Sequence, residues 1–203
     1  MGATPVPAAV TNLNAIPPFT SSGVLPPYIG ADPRIPANMS PYRVGLVELV
    51  QRFATSPERR AILTGYLSHR AYLIGLGITG IQWLDGSFLE NVENLESRAP
   101  GDIDVISFIV RPPAYQNTNH AAWQAYWMGH MPVFEAQQAK LAYRTDAYFV
   151  DVAFGAGYVV KQTAYWFGLF SHKRATGLWK GMLEVLLDSQ QDDAIASQLL
   201  ATI

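Results

Sequence analysis

The sequence predicts a mixed α/β fold of the α+β type: a small mixed β-sheet packed with helices, behind a Pro-rich N-terminal arm. Three observations carry that expectation. Apolar residues recur at helical spacing after Ser56, β-favouring residues concentrate over 78–84 and 102–110, and nine of the 14 prolines fall in the first 41 residues. A chain of 203 residues, 49% hydrophobic, has the length and apolar content for one core.

Taken in order, residues 1–41 hold only two charges, Asp32 and Arg34. Runs such as Pro17-Pro18 and Pro26-Pro27 favour extended, polyproline-like backbone. Residues 1 to about 22 read as a mobile arm, and 23–39 as a segment lying along the domain through Val24, Leu25, Tyr28 and Ile35. The folded domain then spans 42–203. Ser40-Pro41 and Ser56-Pro57-Glu58 each place a capping serine before a proline, the chemistry of a helix start. The second helix carries Ile62, Leu63, Tyr66, Leu67, Leu73 and Ile74 on a core-facing stripe and ends at Gly75 and Gly77. Strands are expected at Ile78–Leu84, Asp102–Val110 and Ala147–Phe154. A helical stretch from Trp123 to Leu141, interrupted by Pro132, lies between the last two. A final amphipathic helix is expected around Leu178, Trp179, Met182, Leu183 and Leu186. The order ααβ-β-α-β-α implies helices packed on a small mixed sheet.

Composition excludes several function classes. There is no cysteine, hence no disulfide, thiol nucleophile or Cys-ligated zinc. Fourteen basic against 16 acidic residues leave a net charge of −2, which argues against a protein that coats polyanions. The longest apolar stretch, Ala61–Leu84, contains Ser68, His69, Arg70 and Gln82 and fails as a membrane span. No basic residue precedes Arg34, so a secretory leader is not expected and a cytoplasmic location is. Gly75-Leu-Gly77-Ile-Thr-Gly80 matches the dinucleotide fingerprint in letters only, because a helix precedes it and a strand follows. His69, His120 and His130 show no metal-ligand spacing.

The carboxylates are the informative feature. Asp102 and Asp104 are two apart at the start of a strand, so they share one face while Ile103 and Val105 share the other. On the third strand, Val150 and Val152 are expected to be buried and Asp151 to point the opposite way. If the strands are neighbours, three aspartates meet on one surface. Two like charges ~4 Å apart repel by about 4 kcal/mol at an effective dielectric of 20. Such a cluster calls for a compensating cation, and oxygen-only ligands suit Mg²⁺ or Mn²⁺. Gly86-Ser87, at the end of the first strand, offers backbone N–H groups and a hydroxyl to a phosphate.

Gly86-Ser87, a fourteen-residue spacer, Asp102-Ile103-Asp104-Val105 and a later Asp151 resemble the polymerase-β-type nucleotidyltransferase superfamily. Trp83-Leu-Asp-Gly-Ser-Phe88, Pro100-Gly-Asp-Ile-Asp-Val105, Leu25-Pro26-Pro27 and Lys180-Gly181 are similar to a family of small bacterial nucleotidyltransferase-like proteins. The resemblance runs over roughly residues 24–187. It implies metal-dependent transfer of a nucleoside monophosphate from an NTP to an acceptor hydroxyl on RNA, a protein or a small molecule. It assigns Asp102, Asp104 and Asp151 to Mg²⁺ or Mn²⁺, with Asp151 helping to deprotonate the acceptor, and Gly86, Ser87 and Lys180 to the nucleotide. A toxin–antitoxin or phage-defence setting, with a cognate protein partner, is implied by resemblance alone. The rival expectation is a catalytically silent nucleotidyltransferase fold that acts as an antitoxin-like binding partner. The spacer departs from the pattern by carrying Glu90, Glu93 and Glu96, which could repel a triphosphate or face solvent. His172-Lys173-Arg174 is the late basic concentration, and Tyr165 or Trp166 could stack on a base.

Overall fold

The computed structural model describes residues 16–116, 120–174, 176–188 and 190–203. Residues 1–15, most of the expected arm, lie outside the described residues. The first half of the chain contributes β1 (Tyr42–Arg43), α1 (Leu46–Phe53), α2 (Pro57–Gly75), β2 (Thr79–Asp85), α3 (Val92–Glu96) and β3 (Ile103–Val110). There follow α4 (His120–Gly129), α5 (Met131–Phe134), α6 (Ala136–Tyr143), β4 (Thr145–Asp151) and α7 (Ala156–Phe170). The chain closes with β5 (His172–Lys173), β6 (Leu178–Trp179), β7 (Leu183–Leu186) and α8 (Gln190–Thr202). The fold is mixed α/β.

Five strands form one mixed sheet in the order β1-β7-β2-β3-β4, and β5 and β6 form a separate hairpin. β2 runs antiparallel to both neighbours, while β3 and β4 are parallel, joined by a crossover through α4, α5 and α6. The two-residue period of the strands sorts their side chains onto two faces. Leu84, Ile103, Val105, Leu183 and Val185 point to one face, under α1, α2 and α8. Trp83, Ile106, Phe108 and Val150 point to the other, against Trp166 and Phe170 of α7. Both faces are covered, which explains why β3 reads as a nearly continuous apolar run after Asp104, broken by Ser107, which accepts from Gln82 Nε2.

Local chemistry accounts for most elements. Ser56 caps α2, its hydroxyl accepting from the Arg59 amide at 3.2 Å, with Pro57 in the first turn. The helix ends at Gly75, and Gly77 (φ +76°) turns the chain into β2, so the glycine-rich letters sit between a helix and a strand. A largely buried polar knot ties α2 to the sheet and to α8. Arg70 donates to both Asp193 oxygens at 2.8 Å and to Gln82 at 2.7 Å.

Four expectations require correction. Ser40-Pro41 starts no helix; Ser40 Oγ accepts from the Met182 amide at 2.7 Å and anchors the chain beside β7, and α1 begins only at Leu46. The segment around Leu178–Leu186 is not a helix. Its apolar spacing mimics one, but Leu183 and Val185 are buried alternately with Glu184, and the segment inserts as a strand between β1 and β2. The last helix is α8. The third strand spans Thr145–Asp151 rather than Ala147–Phe154, because Asp151 Oδ1 accepts from the Ala153 amide and turns the chain. Finally, Ile16 and Phe19 already pack on the core, with Phe19 6.2 Å from Phe53, so the described end of the arm belongs to the domain. Among the described residues no helix is long and apolar enough to cross a membrane.

Candidate functional site

One end of the α7-covered face opens into a cleft of about 330 Å³, lined by Gly86, Ser87, Asp104, Asp146, Lys140 and Lys180 among others. Its construction follows from strand register. Asp85, the last residue of β2, lies directly opposite Asp104 on β3, and Asp104 lies beside Asp146 on β4. Residues in register share a face, so all three carboxylates point the same way, and Asp102, two before Asp104, joins them. The chain leaves β2 through Gly86 (φ +84°), where a Cβ would overlap Asp104 Oδ2. Only glycine permits that approach, which brings the Gly86-Ser87 backbone directly against the carboxylate.

Cations offset much of this charge. Lys140 of α6 pairs with Asp102 and stands 3.8 Å from Asp146; Arg174 stands 3.8 Å from Asp104. Lys180 is buried between Asp85 (2.9 Å) and Glu90 (2.6 Å). Lys173 bridges Glu90 and Glu96, and Arg59 holds Glu93 at 2.5 Å and the carbonyls of Phe88 and Glu90. The acidic spacer is therefore a folded, internally neutralised wall. Burial lifts the Asp104 carboxyl to about 6, with further upward pushes from Asp102 and Asp146 and a downward pull from Arg174 and Lys180. Burial likewise lifts Asp85 to about 7, against the pull of Lys180 and the Gly86 amide. Burial alone would lower Lys180, but Asp85 and Glu90 outweigh it and hold the ammonium above its usual range. Hydrogen bonding to Asp102 raises Lys140 in the same sense.

The structure thus brings together Asp102, Asp104, Gly86, Ser87 and Lys180, and excludes Asp151. That residue pairs in register with Ile109, five positions along β4 from Asp146 and roughly 16 Å away. Five is odd, so Asp151 also points to the opposite face. There its carboxylate accepts from Arg111 Nε at 2.7 Å and from the Ala153 amide at 3.0 Å. The expected Asp102–Asp104–Asp151 triad does not form. Sequence reasoning missed Asp146, which lay one residue outside the strand as drawn; parity with Asp104 would have found it had β4 been started at Thr145. Lys180 is in the cleft, but its ammonium is engaged by two carboxylates.

Asp102, Asp104 and Asp146 offer hard oxygen donors, the set that suits Mg²⁺ or Mn²⁺. Among the described residues, however, no three acidic or histidine side chains are gathered around a common point to hold a metal. Lys140 occupies the place between Asp102 and Asp146. The donor chemistry fits a divalent cation on condition that Lys140, half exposed, swings away.

Leu25-Pro26-Pro27 and Lys180-Gly181, distant in sequence, meet beside the cleft. The Gly181 amide donates to Leu25 O at 2.7 Å, and a Cβ on Gly181 would overlap Pro26 O. Tyr42 Oη donates to that same Pro26 carbonyl at 2.7 Å. This clamp fixes the backbone that delivers Lys180.

No curated protein and no solved structure matches the chain. A family profile does match, over residues 17–186, from the packed end of the arm through β7 and including every residue of the cleft. The chain therefore belongs to DUF6932, a family of unknown function.

Proposed function

We propose that the protein is a metal-dependent nucleotidyltransferase that moves a nucleoside monophosphate from an NTP to an acceptor hydroxyl on RNA, a protein or a small molecule. The observation that carries this reading is the closure of the Gly86-Ser87 turn on Asp104, with Asp102 and Asp146 on the same face of one cleft. Asp102, Asp104 and Asp146 would hold Mg²⁺ or Mn²⁺. When bound, the ion supplies charge neutralisation and polarises phosphoryl oxygens. The Ser87 backbone amide and hydroxyl donate to the leaving phosphates and fix their orientation, with Gly86 letting the phosphates approach the backbone. The acceptor oxygen attacks the α-phosphorus, the bond to the β-phosphate oxygen breaks, and pyrophosphate leaves. The acceptor proton passes to a carboxylate oxygen on the same face of the cleft. Lys180 holds Asp85 and Glu90 as the floor of the cleft.

A second reading has its own support. The pairing of Lys140 with Asp102 and its approach to Asp146 leave the acids neutralised without a metal, as a catalytically silent fold acting as a partner of a cognate protein would have them. The two readings separate on incubation with each α-labelled NTP, Mg²⁺ or Mn²⁺ and candidate acceptors, comparing wild type with Asp102→Ala/Asp104→Ala. Label transfer lost in the double variant supports the enzyme. Absence of both transfer and metal-dependent NTP binding by the wild type refutes it, and NTP binding that survives in the variant moves the site elsewhere.

A further inference from the structure

At the other end of the sheet, on the opposite face, a second cleft of about 440 Å³ opens beyond the carboxyl ends of the parallel strands β3 and β4. Crevices in that position are where open α/β sheets commonly take ligands, and the volume is that of a small-molecule pocket. We propose that it binds a neutral, planar aromatic ring carrying an N–H or O–H donor. This inference is independent of the nucleotidyltransferase reading.

The walls are aromatic. The His120 ring stacks on Phe154, with centroids 5.2 Å apart and planes within 13°. Tyr158 lies 5.3 Å beyond Phe154, and Trp123 and Trp127 form the facing side. Phe154 is 55% exposed, so part of its ring stays accessible from the cleft beside His120 and Arg111. Offset or edge-on contact with a second ring is the interaction such a face rewards.

Charge selects a neutral ligand. Asp151 lines the cleft, yet its charge is matched by Arg111, which donates to it at 2.7 Å and lies over the rings of Trp123 (5.4 Å) and Phe154 (5.6 Å). A ligand cation would compete with that guanidinium for both the carboxylate and the ring faces, and a ligand anion would meet the carboxylate. Arg111 Nη2 also donates to His120 Nδ1 at 3.1 Å, so the guanidinium ties the His120 ring to the same cluster. What remains for recognition is acceptor capacity. The Asp151 carboxylate accepts from Arg111 and Ala153, and its two oxygens keep further lone pairs for a ring N–H or O–H.

Titration of the ¹⁵N-labelled full chain tests this, because each of its five tryptophans contributes one indole N–H resonance. Added indole should shift Trp123 and Trp127 and leave Trp83, Trp166 and Trp179 in place. Benzofuran, the same shape without the donor, should bind at least about tenfold more weakly, the lower end for one charge-assisted hydrogen bond. Phe154→Ala, at an exposed position that leaves the core intact, should weaken indole at least fivefold. Adenosine moving the same two resonances identifies a nucleobase as the natural ring; indole alone doing so identifies an indole or phenol. The proposal is overturned if neither Trp123 nor Trp127 responds, if only the other tryptophans do, if benzofuran equals indole, or if Phe154→Ala binds as tightly as wild type.

Discussion

Asp146 and Asp151 are five residues apart on one strand, and their removal should produce opposite phenotypes. Asp151 is 7% exposed and is the carboxylate partner of Arg111, itself 2% exposed. Asp151→Ala leaves a guanidinium in the interior without its counter-charge, a change that costs about 3–5 kcal/mol. For a domain of this size each kcal/mol moves the melting temperature by roughly 2–4 °C, so a drop of roughly 6–20 °C is expected. Asp146→Asn removes a charge whose ion-pair partner among the described residues, Lys140, is half exposed and 3.8 Å away. The change in stability should stay within about 1 kcal/mol, as for a surface pair, and relief of its repulsion with Asp104 works in the stabilising direction. Urea and thermal denaturation followed by circular dichroism measure both stability changes. Mn²⁺ binding, followed by electron paramagnetic resonance, should be lost in Asp146→Asn and retained by folded Asp151→Ala at low temperature. The assignment of the third acid is refuted if Asp151→Ala is as stable as wild type while Mn²⁺ binding disappears, or if Asp146→Asn binds Mn²⁺ normally.

Three further outcomes follow from the structure. Burial holds His69 at about 4, with Nε2 donating to Val133 O at 2.9 Å and Nδ1 without a partner, whereas the unfolded chain titrates near 6.5. The folded pKa is the lower, so the unfolded state gains the proton first, and stability falls by about 3 kcal/mol as pH drops from 6.5 to 4; His69→Phe should flatten that part of a stability–pH curve. Gly86→Ala should destabilise by about 1–3 kcal/mol from the strained φ alone and abolish metal-dependent NTP binding, read by denaturation and by filter binding. Lys180→Met strands Asp85 and leaves Glu90 with Lys173 alone, and should cost about 3–5 kcal/mol, with Lys180→Met/Asp85→Asn recovering part of it in the same denaturation assay.

The elements that local chemistry determines were legible in the sequence: the Ser56-Pro57 start of α2, the glycines that end it, and the β-rich runs of β2 and β3. The Gly86-Ser87 turn and the Asp102/Asp104 pair were legible too, because turn chemistry and a two-residue period operate within a few residues. What failed depended on partners distant in sequence. Leu183 and Val185 look helical until β1 and β2 offer a slot between them, and Ser40 looks like a cap until Met182 takes its hydroxyl. Asp151 was misplaced because one buried face was assumed for the third strand, whereas α7 covers the second face and Arg111 supplies a buried counter-charge. The neutralising lysines, Lys140 and Lys180, come from elements whose approach to the acids no local pattern records.

The central claim is that the Gly86-Ser87 turn and the carboxylates of Asp102, Asp104 and Asp146 form a metal–triphosphate site. A crystal structure with Mn²⁺ and a non-hydrolysable NTP analogue tests it most directly. Manganese anomalous density is expected among these three carboxylates, with phosphates against Gly86 and Ser87 and Lys140 displaced from Asp102. Lys140 still bridging Asp102 and Asp146 at saturating Mn²⁺, with no density in the cleft, would contradict it.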